Sequence, residues 1–271
     1  MKDVRGKVAL VTGGAYGMGL LWCERFAADG AKIVIWDISE ANLERAMKDL
    51  ERRGVKVWGH IADVSKPDVV REKAAVVQRE TGGVDVLVNN AGIVHSGPFL
   101  ETSDAQLAAT IDVDLKGIMW CTKAFLPRML ERNKGHIINI ASLAGYVGVP
   151  RMPAYSAAKW GAIGLTESIR LEVTKVLRKK GVKFTVVCPS FVDTGMFAGA
   201  KPPRLTRLLR PKDVVDVSYE AFKQDKYVVN MPWLTQVTPL LKGLLPYQAV
   251  DIVTDLFGAS DPMREWRDER R

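Results

Sequence analysis

Apolar runs rich in β-branched residues recur along the chain, and the stretches between them have helical spacing. Strands that are buried on both faces form continuous apolar runs, and parallel strands need helical crossovers. The alternation therefore predicts an α/β fold, an open doubly wound sheet with helices on both faces. The five clear runs are VALVTG at 8–13, KIVIWD at 32–37, VDVLVNN at 84–90, HIINIAS at 136–142 and KFTVVCPS at 183–190, and weaker runs at 55–60 and 227–230 predict a sixth and a seventh strand.

The stretch 39–53 predicts one of the crossover helices. Ser39 suits an N-cap and Gly54 a C-cap, and the apolar face between them consists of Leu43, Ala46, Met47 and Leu50. The chain contains no break in composition, no linker and no repeat of 20–50 residues. We therefore expect a single domain over residues 1–271, although the alternation weakens from Pro202 onward.

Composition places the chain among ordinary globular proteins, with 47% apolar and 26% charged residues among 271. Cys23, Cys121 and Cys188 are too few and too scattered for a disulfide framework, so we expect small core residues in a reducing compartment. The chain begins MKDVRGKVALVTGG, which lacks the apolar stretch and cleavage site of a signal peptide. A cytoplasmic protein is therefore expected.

The formal net charge of +8 raises the question of an anionic partner. Its distribution argues against nucleic acid, because the last eight residues are nearly balanced and only one basic cluster stands out. That cluster consists of Lys201, Arg204, Arg207, Arg210 and Lys212. A solvated loop is the favoured interpretation of this cluster.

A glycine-rich turn, TGGAYGMG at 12–19, follows the first apolar run and precedes a helical stretch. Such glycines let the backbone turn tightly and approach a pyrophosphate, whose charge a helix N-terminus stabilises. The strict G-x-G-x-x-G pattern fails because Trp22 takes the place of its third glycine, so the turn alone is weak evidence.

Asp37 ends the second run, near the spacing at which a dinucleotide fold places a carboxylate on the adenosine ribose. An N-cap is the alternative role for an Asp in this position. Since a carboxylate repels a 2′-phosphate and neither Tyr16 nor Ile38 is basic, we expect NAD rather than NADP.

Tyr155 and Lys159 stand four residues apart, so on a helix they share one face. A nearby cation favours the phenolate and moves the pKa of a Tyr toward a value useful for acid/base chemistry. Ser142 lies thirteen residues before Tyr155, at the end of a strand run.

The sequence resembles the short-chain dehydrogenase/reductase family over about residues 5–200. The resemblance implies a Rossmann-type fold of about seven mostly parallel strands, hydride transfer with a nicotinamide cofactor, no metal, and a homodimer or homotetramer. The motifs that carry it, in order, are TGGAYGMG at 12–19, Asp37, Asp63-Val64, NNAG at 89–92, Ser142, YSAAK at 155–159 and the stretch from Pro189 to Thr194.

The resemblance also implies roles for individual residues. Tyr155 would be the general acid/base, Lys159 would lower its pKa and bind the nicotinamide ribose, and Ser142 would donate to the reacting oxygen. Thr194 would clamp the carboxamide, and Asp63 and Val64 would contact adenine. The full expected cofactor site is Gly13, Tyr16, Gly17, Met18, Gly19, Asp37, Asp63, Val64, Asn90, Ala91, Gly92, Tyr155, Lys159, Pro189, Val192 and Thr194.

Two positions depart from the family pattern. Asp114, in VDLKG, stands where the family commonly has an Asn that completes a proton relay to the lysine. If the relay uses the backbone carbonyl, Asp is tolerated, and if it uses the side-chain amide, turnover suffers; we favour tolerance. Pro189-Ser190 replaces the common Pro-Gly, which alters the loop on the nicotinamide side.

Residues 191–212 fall where the family carries its substrate lid. Phe191, Met196 and Phe197 are expected on one wall of the pocket and His95 and Met152 on the other, with a core position as the alternative for each. Together they predict a lipophilic substrate.

The extension over 231–271 contains a markedly apolar stretch from Trp233 to Phe257. Pro239, Gly243 and Pro246 interrupt it, so no plain membrane-spanning helix is expected. Packing over the pocket or against a neighbouring subunit is favoured over peripheral membrane contact.

The leading hypothesis is an NAD-dependent oxidoreductase that interconverts a secondary alcohol and a ketone on a steroid, retinoid or long-chain alcohol. An enzyme alternative is reduction of a 3-oxoacyl group on an acidic carrier, which the basic cluster would suit but Asp37 disfavours. A silent NAD-binding sensor or scaffold would be expected to lose Tyr155 or Lys159, and both are present.

Overall fold

Every predicted run forms a strand in the computed structural model, which describes residues 3–202, 207–256 and 261–266. Within these residues seven strands form one parallel sheet in the order β3-β2-β1-β4-β5-β6-β7. The predicted parallel α/β sheet is therefore confirmed. The strands are β1 (Val8–Thr12), β2 (Lys32–Asp37), β3 (Val57–Ile61), β4 (Val86–Asn89), β5 (Gly135–Ile140), β6 (Val182–Pro189) and β7 (Val228–Met231).

The continuous apolar character of the strands follows from burial of both faces of the sheet. In β1, Ala9 and Val11 pack into one hydrophobic cluster, whereas Val8 and Leu10 pack into another. Because successive side chains of a strand point to opposite faces, each face needs its own apolar cover.

Helices supply that cover. Side chains of α1, α2 and α7 share the first cluster, and those of α3 and α5 share the second. A π-helical turn over Asp112–Lys116 joins α4 to α5, and another over Glu172–Val176 follows α6. The helices are α1 (Gly17–Ala28), α2 (Glu40–Arg52), α3 (Pro67–Thr81), α4 (Asp104–Ile111), α5 (Gly117–Glu131), α6 (Pro153–Leu171), α7 (Pro211–Lys223), α8 (Thr238–Leu244) and α9 (Tyr247–Leu256).

The ends of α2 test the predicted caps. The Ser39 hydroxyl accepts a hydrogen bond from the Asn42 backbone, which confirms the predicted N-cap. Arg53 takes the C-cap position, and Gly54 follows one residue later with φ of 76°. Gly54 therefore lies just past the end of the helix, as predicted, in the left-handed conformation that favours glycine there.

Two further predictions concern the three cysteines and the basic cluster. Cys23, Cys121 and Cys188 are free and buried, as predicted. Three members of the basic cluster pair with acids at the surface: Lys201 with Glu265, Arg210 with Asp213, and Lys212 with Asp216. Arg204 of that cluster lies outside the described residues.

The predicted lid and extension are described in part, since residues 203–206, 257–260 and 267–271 lie outside the described residues. Helices α8 and α9 expose several large apolar side chains, among them Leu244, Tyr247 and Leu256. In the described ranges no helix is both long enough and apolar enough to cross a membrane.

Candidate active site

The predicted site residues collect at the carboxyl edge of the sheet. Strand β1 has β2 on one side and β4 on the other, so the chain reverses its direction of winding there. In open α/β sheets ligands bind in the crevice outside such a switch point.

The glycine-rich turn joins β1 to α1 in a conformation that needs glycine. Gly13 and Gly17 have φ of 60° and 55°, in the left-handed region. A Cβ on Gly19 would lie 1.9 Å from the Gly13 carbonyl oxygen, whereas one on Gly17 would have no atom within 4 Å. The turn is therefore tightly packed at Gly19, whereas Gly17 faces open space.

A cleft of about 500 Å³ lies in front of this turn, and its lining includes Tyr16, Gly17, Leu20 and Thr194. Helix α1 begins at Gly17, so its unpaired backbone N–H groups lie at this cleft. Trp22, at the third glycine position, is fully buried beside Phe26 instead. Met18 packs against the same core.

Asp37 lies beside the turn at the end of β2. Its carboxylate accepts hydrogen bonds from the Ala15 and Ser39 backbone N–H groups, each at 3.0 Å. Since Ser39 is the N-cap of α2, the alternative role of Asp37 as the N-cap is wrong. Tyr16 and Ile38 next to it are exposed and uncharged.

The end of β4 is bound to the same turn. The Asn90 side-chain amide donates to the Thr12 and Gly13 carbonyls at 3.0 and 3.1 Å. The Thr12 hydroxyl accepts from the Asn90 and Ala91 backbone N–H groups. Asn89, one residue earlier, is buried and donates to Asn139 instead, so of the two Asn side chains only Asn90 contacts the turn.

The other predicted cofactor residues surround this edge. Val64 is buried and lies close to Gly117, and Asp63 accepts from the Ser65 backbone. Val192 is buried and pairs with Leu209 in an isolated bridge. The open turn, the Asp37 carboxylate and this edge of the sheet together fit an adenine dinucleotide.

Tyr155 and Lys159 lie one turn apart on α6, and both are buried. The Lys159 Nζ atom is 5.3 Å from the centre of the Tyr155 ring and donates to the Ile140 carbonyl at 3.1 Å. Ser142 lies two residues beyond Ile140, where its hydroxyl donates to the Pro189 carbonyl and accepts from the Ala144 backbone. The predicted tyrosine and lysine are therefore brought together at the end of β5.

Asp114 lies in the π-helical turn and is completely buried. One carboxylate oxygen accepts from the Ile93 backbone at 2.8 Å, and the other lies 3.0 Å from Lys159 Nζ. Burial lowers the pKa of Lys159, but the charges of Asp114 and Tyr155 and the hydrogen bond of Asp114 raise it above its ordinary value overall. Asp114 stands where the family commonly has Asn, and its side chain therefore faces Lys159.

The predicted substrate residues are mostly apolar neighbours of Tyr155. Met152 and Phe197 are buried in one cluster with it, and Phe191 and Met196 pack against that cluster. The Tyr155 and Phe197 rings meet edge to face, with centroids 6.0 Å apart.

His95 is the polar member of the predicted walls. The Thr110 hydroxyl donates to the Gln106 carbonyl, so it accepts from His95 Nδ1, 3.1 Å away. Helix α4 therefore orients the His95 ring.

Met263 and Trp266 belong to the same apolar cluster and were missed from the sequence. Met263 is 2% exposed, although it lies in a polar, charged terminal stretch. The sequence signal for this packing was Trp266, an aromatic residue within the charged stretch 264–271.

Comparison with known proteins agrees with this geometry. The short chain dehydrogenase family profile matches residues 7–204, and the chain belongs to that family. The predicted family, the fold class and the assignment as a dehydrogenase are confirmed.

Two human relatives share much of their sequence with this chain. Epidermal retinol dehydrogenase 2 of Homo sapiens is 37% identical over 273 residues, which cover 100% of this chain and 88% of the relative. Estradiol 17-beta-dehydrogenase 11 of Homo sapiens is 35% identical over 245 residues, which cover 90% and 81%.

Solved structures are similar over most of their length. A short chain dehydrogenase/reductase from Burkholderia phymatum in complex with NAD has a TM-score of 0.79 and 28% identity, covering 93% of this chain and 97% of that one. A metagenomic short-chain oxidoreductase in complex with NADP has a TM-score of 0.71 and 31% identity, covering 84% and 96%.

Proposed function

We propose that this protein is an NAD-dependent oxidoreductase that interconverts a secondary alcohol and a ketone on a lipophilic substrate. The observation that carries the proposal is the buried pair of Tyr155 and Lys159 beside an apolar cluster that includes Met152 and Phe197. The names of the two human relatives, a retinol and an estradiol dehydrogenase, support a lipophilic alcohol as substrate.

Tyr155 and its neighbours would move the proton of the reaction. NAD, when bound, supplies the acceptor for the hydride that leaves the alcohol carbon. Tyr155 as phenolate takes the hydroxyl proton, and the Ser142 hydroxyl turns from the Pro189 carbonyl to donate its hydrogen bond to the same oxygen. The Lys159 ammonium stabilises the phenolate by its charge.

The cofactor would be held by the residues around the turn. The α1 N-terminus at Gly17 would face the pyrophosphate, Asp37 the adenosine ribose, and Asp63 and Val64 the adenine. Gly13, Tyr16, Met18, Gly19, Asn90, Ala91, Gly92, Pro189, Val192 and Thr194 would complete the site. Asp37 beside uncharged Tyr16 and Ile38 supports NAD over NADP.

The alternatives fit the site less well. Lys201, Arg210 and Lys212 already pair with acidic side chains, so fewer free cations remain for an acidic acyl carrier. A silent sensor would have no need for a buried lysine beside a tyrosine, because burying a charge costs free energy.

Assembly and location complete the proposal. We expect one catalytic domain over residues 1–271, in a cytoplasmic homodimer or homotetramer without nucleic acid. Helices α8 and α9 expose several leucines. Grouped exposed apolar side chains are more typical of a subunit contact than of free surface, where such residues occur singly. Sedimentation of the purified protein tests the oligomeric state, and binding to lipid vesicles tests the competing membrane role.

The experiment that tests the function is a substrate screen. Purified protein with NAD is offered hydroxysteroids, retinol, long-chain secondary alcohols, diols and sugars, and the absorbance of NADH is followed. We expect turnover with lipophilic alcohols and at most weak turnover with sugars. A folded protein that binds NAD and oxidises none of them would overturn the proposal in favour of a sensor.

A further inference from the structure

Residues 261–266 return from the far end of the chain to the active site. Met263 is buried in the cluster that contains Tyr155, Met152 and Phe197, and Trp266 packs against that cluster. The apolar cluster around the tyrosine is therefore formed partly by a segment that lies outside residues 7–204, the region matched by the family profile.

Hydrogen bonds hold this segment against the loop that follows β6. The Lys201 N–H donates to the Pro262 carbonyl at 2.8 Å, and the Trp266 ring N–H donates to the Met196 carbonyl at 2.9 Å. Gly199 has φ of 75°, and a Cβ there would lie 2.1 Å from the Glu265 carbonyl oxygen. A glycine is therefore required for the loop and the segment to approach this closely.

An ion pair holds the other side of the segment. Arg151 makes a two-pronged contact with Asp261, with Nε–Oδ1 at 2.7 Å and Nη2–Oδ2 at 3.0 Å. Arg151 lies just before α6, the helix that carries Tyr155. Both partners are partly exposed, so the pair contributes orientation more than stability.

We propose that residues 261–266 form the roof of the substrate pocket and that Met263 and Trp266 determine which alcohols fit. The proposal rests on the proposed function, because it assigns the roof to that same site. An alcohol held at Tyr155 would place its apolar body in the cluster that contains Met263. A methionine side chain suits this position, since its flexible thioether adapts to irregular apolar shapes.

Opposite changes in side-chain volume at Met263 give the first test. We expect Met263→Trp to shift the preferred chain length of secondary 2-alkanols downward and Met263→Ala to shift it upward. The ratio of kcat/KM for a long and a short alkanol should change by about tenfold in opposite directions, the scale at which a pocket discriminates single methylenes. The Kd of NAD should stay unchanged in both variants.

Met129→Ala is the matched control, because Met129 is also buried but lies in a different hydrophobic cluster from Met263. It should lower stability and leave the ratio of the two alkanols unchanged. If both Met263 variants leave that ratio unchanged, or if Met129→Ala changes it as much, the roof assignment is wrong while the proposed function stands.

A second test does not depend on turnover. Gly199→Ala should push the roof off the loop, so trypsin should cleave after Arg264 several-fold faster than in the wild type. Gly54→Ala is the control, since Gly54 has φ of 76° but no atom within 4 Å of an added Cβ. Equal cleavage rates in the wild type and both variants would contradict the roof assignment. This result does not depend on whether the protein oxidises any alcohol, so it is independent of the proposed function.

Discussion

The Lys159 ammonium lies 3.0 Å from the Asp114 carboxylate, and their side chains are only 5% and 1% exposed. The same ammonium donates to the Ile140 carbonyl and lies over the Tyr155 ring. Because its pKa is raised, Lys159 stays cationic throughout the working pH range. The positive charge available to a Tyr155 phenolate is therefore partly cancelled by Asp114.

Removal of that negative charge should be visible in the pH profile. We expect Asp114→Asn to move the rising limb of kcat/KM for alcohol oxidation to lower pH, with maximal activity intact or improved, because a like charge no longer opposes the phenolate. The neighbouring Cys188 thiol does not titrate in this range, since burial raises its pKa to about 12. The measurement is the pH dependence of both proteins with one alcohol.

Asp112→Asn is the matched control for this prediction. Asp112 lies in the same π-helical turn but pairs with Lys116 at the surface. Its replacement should leave the profile in place. An unmoved curve for Asp114→Asn would show that Asp114 only positions Lys159, and movement toward higher pH would contradict the proposed repulsion of the phenolate by Asp114.

Tyr155→Phe keeps the ring and removes the proton that the mechanism transfers. We expect kcat to fall at least about a hundredfold while the Kd of NAD changes little, as is typical when a general acid/base is lost. Tyr219→Phe, which removes the buried ring's hydroxyl bond to Asp29 far from the site, is the control. Near-normal turnover by Tyr155→Phe would rule out the proposed mechanism.

The sheet and the catalytic pair could be predicted because both depend on short-range spacing. Continuous apolar runs are the signature of doubly buried strands, and a separation of four residues places Tyr155 and Lys159 on one helix face. The β1–α1 turn was predictable for a similar reason, since its glycines are required by local backbone conformation.

Two features of the site could not be predicted from local patterns. Packing of the extension over the pocket was one predicted alternative, but the residues that form the roof were not predicted, because contacts such as that of Arg151 with Asp261 join residues 110 apart in the sequence. The direction of the Asp114 side chain depends on the π-helical turn over Asp112–Lys116, whose wider spacing departs from regular helix periodicity. The packing of a distant segment and an irregular turn leave no periodic signal.

Cofactor choice should depend on the charge of Asp37. We expect kcat/KM for NAD to exceed that for NADP at least about tenfold in the wild type, which corresponds to about 1.4 kcal/mol. Asp37→Ala should narrow this gap mainly by harming NAD, because the ribose partner and the acceptor for the Ala15 N–H are lost together. Steady-state kinetics with both cofactors provide the measurement.

Asp37→Asn separates charge from hydrogen bonding. It keeps one acceptor oxygen beside the turn and removes the repulsion of a 2′-phosphate, so NADP should improve more than in Asp37→Ala. If the wild type uses both cofactors equally well, Asp37 does not select between them.

His136 should make the stability of the fold depend on pH. Its ring is completely buried on β5, and burial lowers its pKa from 6.5 to about 3. The Thr185 hydroxyl donates to the Lys226 carbonyl, so it accepts from His136 Nε2, 2.9 Å away. The neutral ring with a proton on Nε2 is therefore the form that the fold accommodates.

The sign of the effect follows from proton binding. Between pH 6.5 and about 3 the unfolded chain protonates His136 and the folded chain does not, so stability is full above pH 6.5 and falls as the pH falls. We expect this residue to lower the free energy of unfolding by about 2 kcal/mol between pH 7 and pH 5. Urea denaturation of the wild type and His136→Gln at both pH values measures the difference.

Thr185→Val, which removes the hydrogen-bond partner but keeps the titrating ring, should lower stability at pH 7 and retain the dependence on pH. If His136→Gln loses as much stability on acidification as the wild type, His136 is not the group responsible.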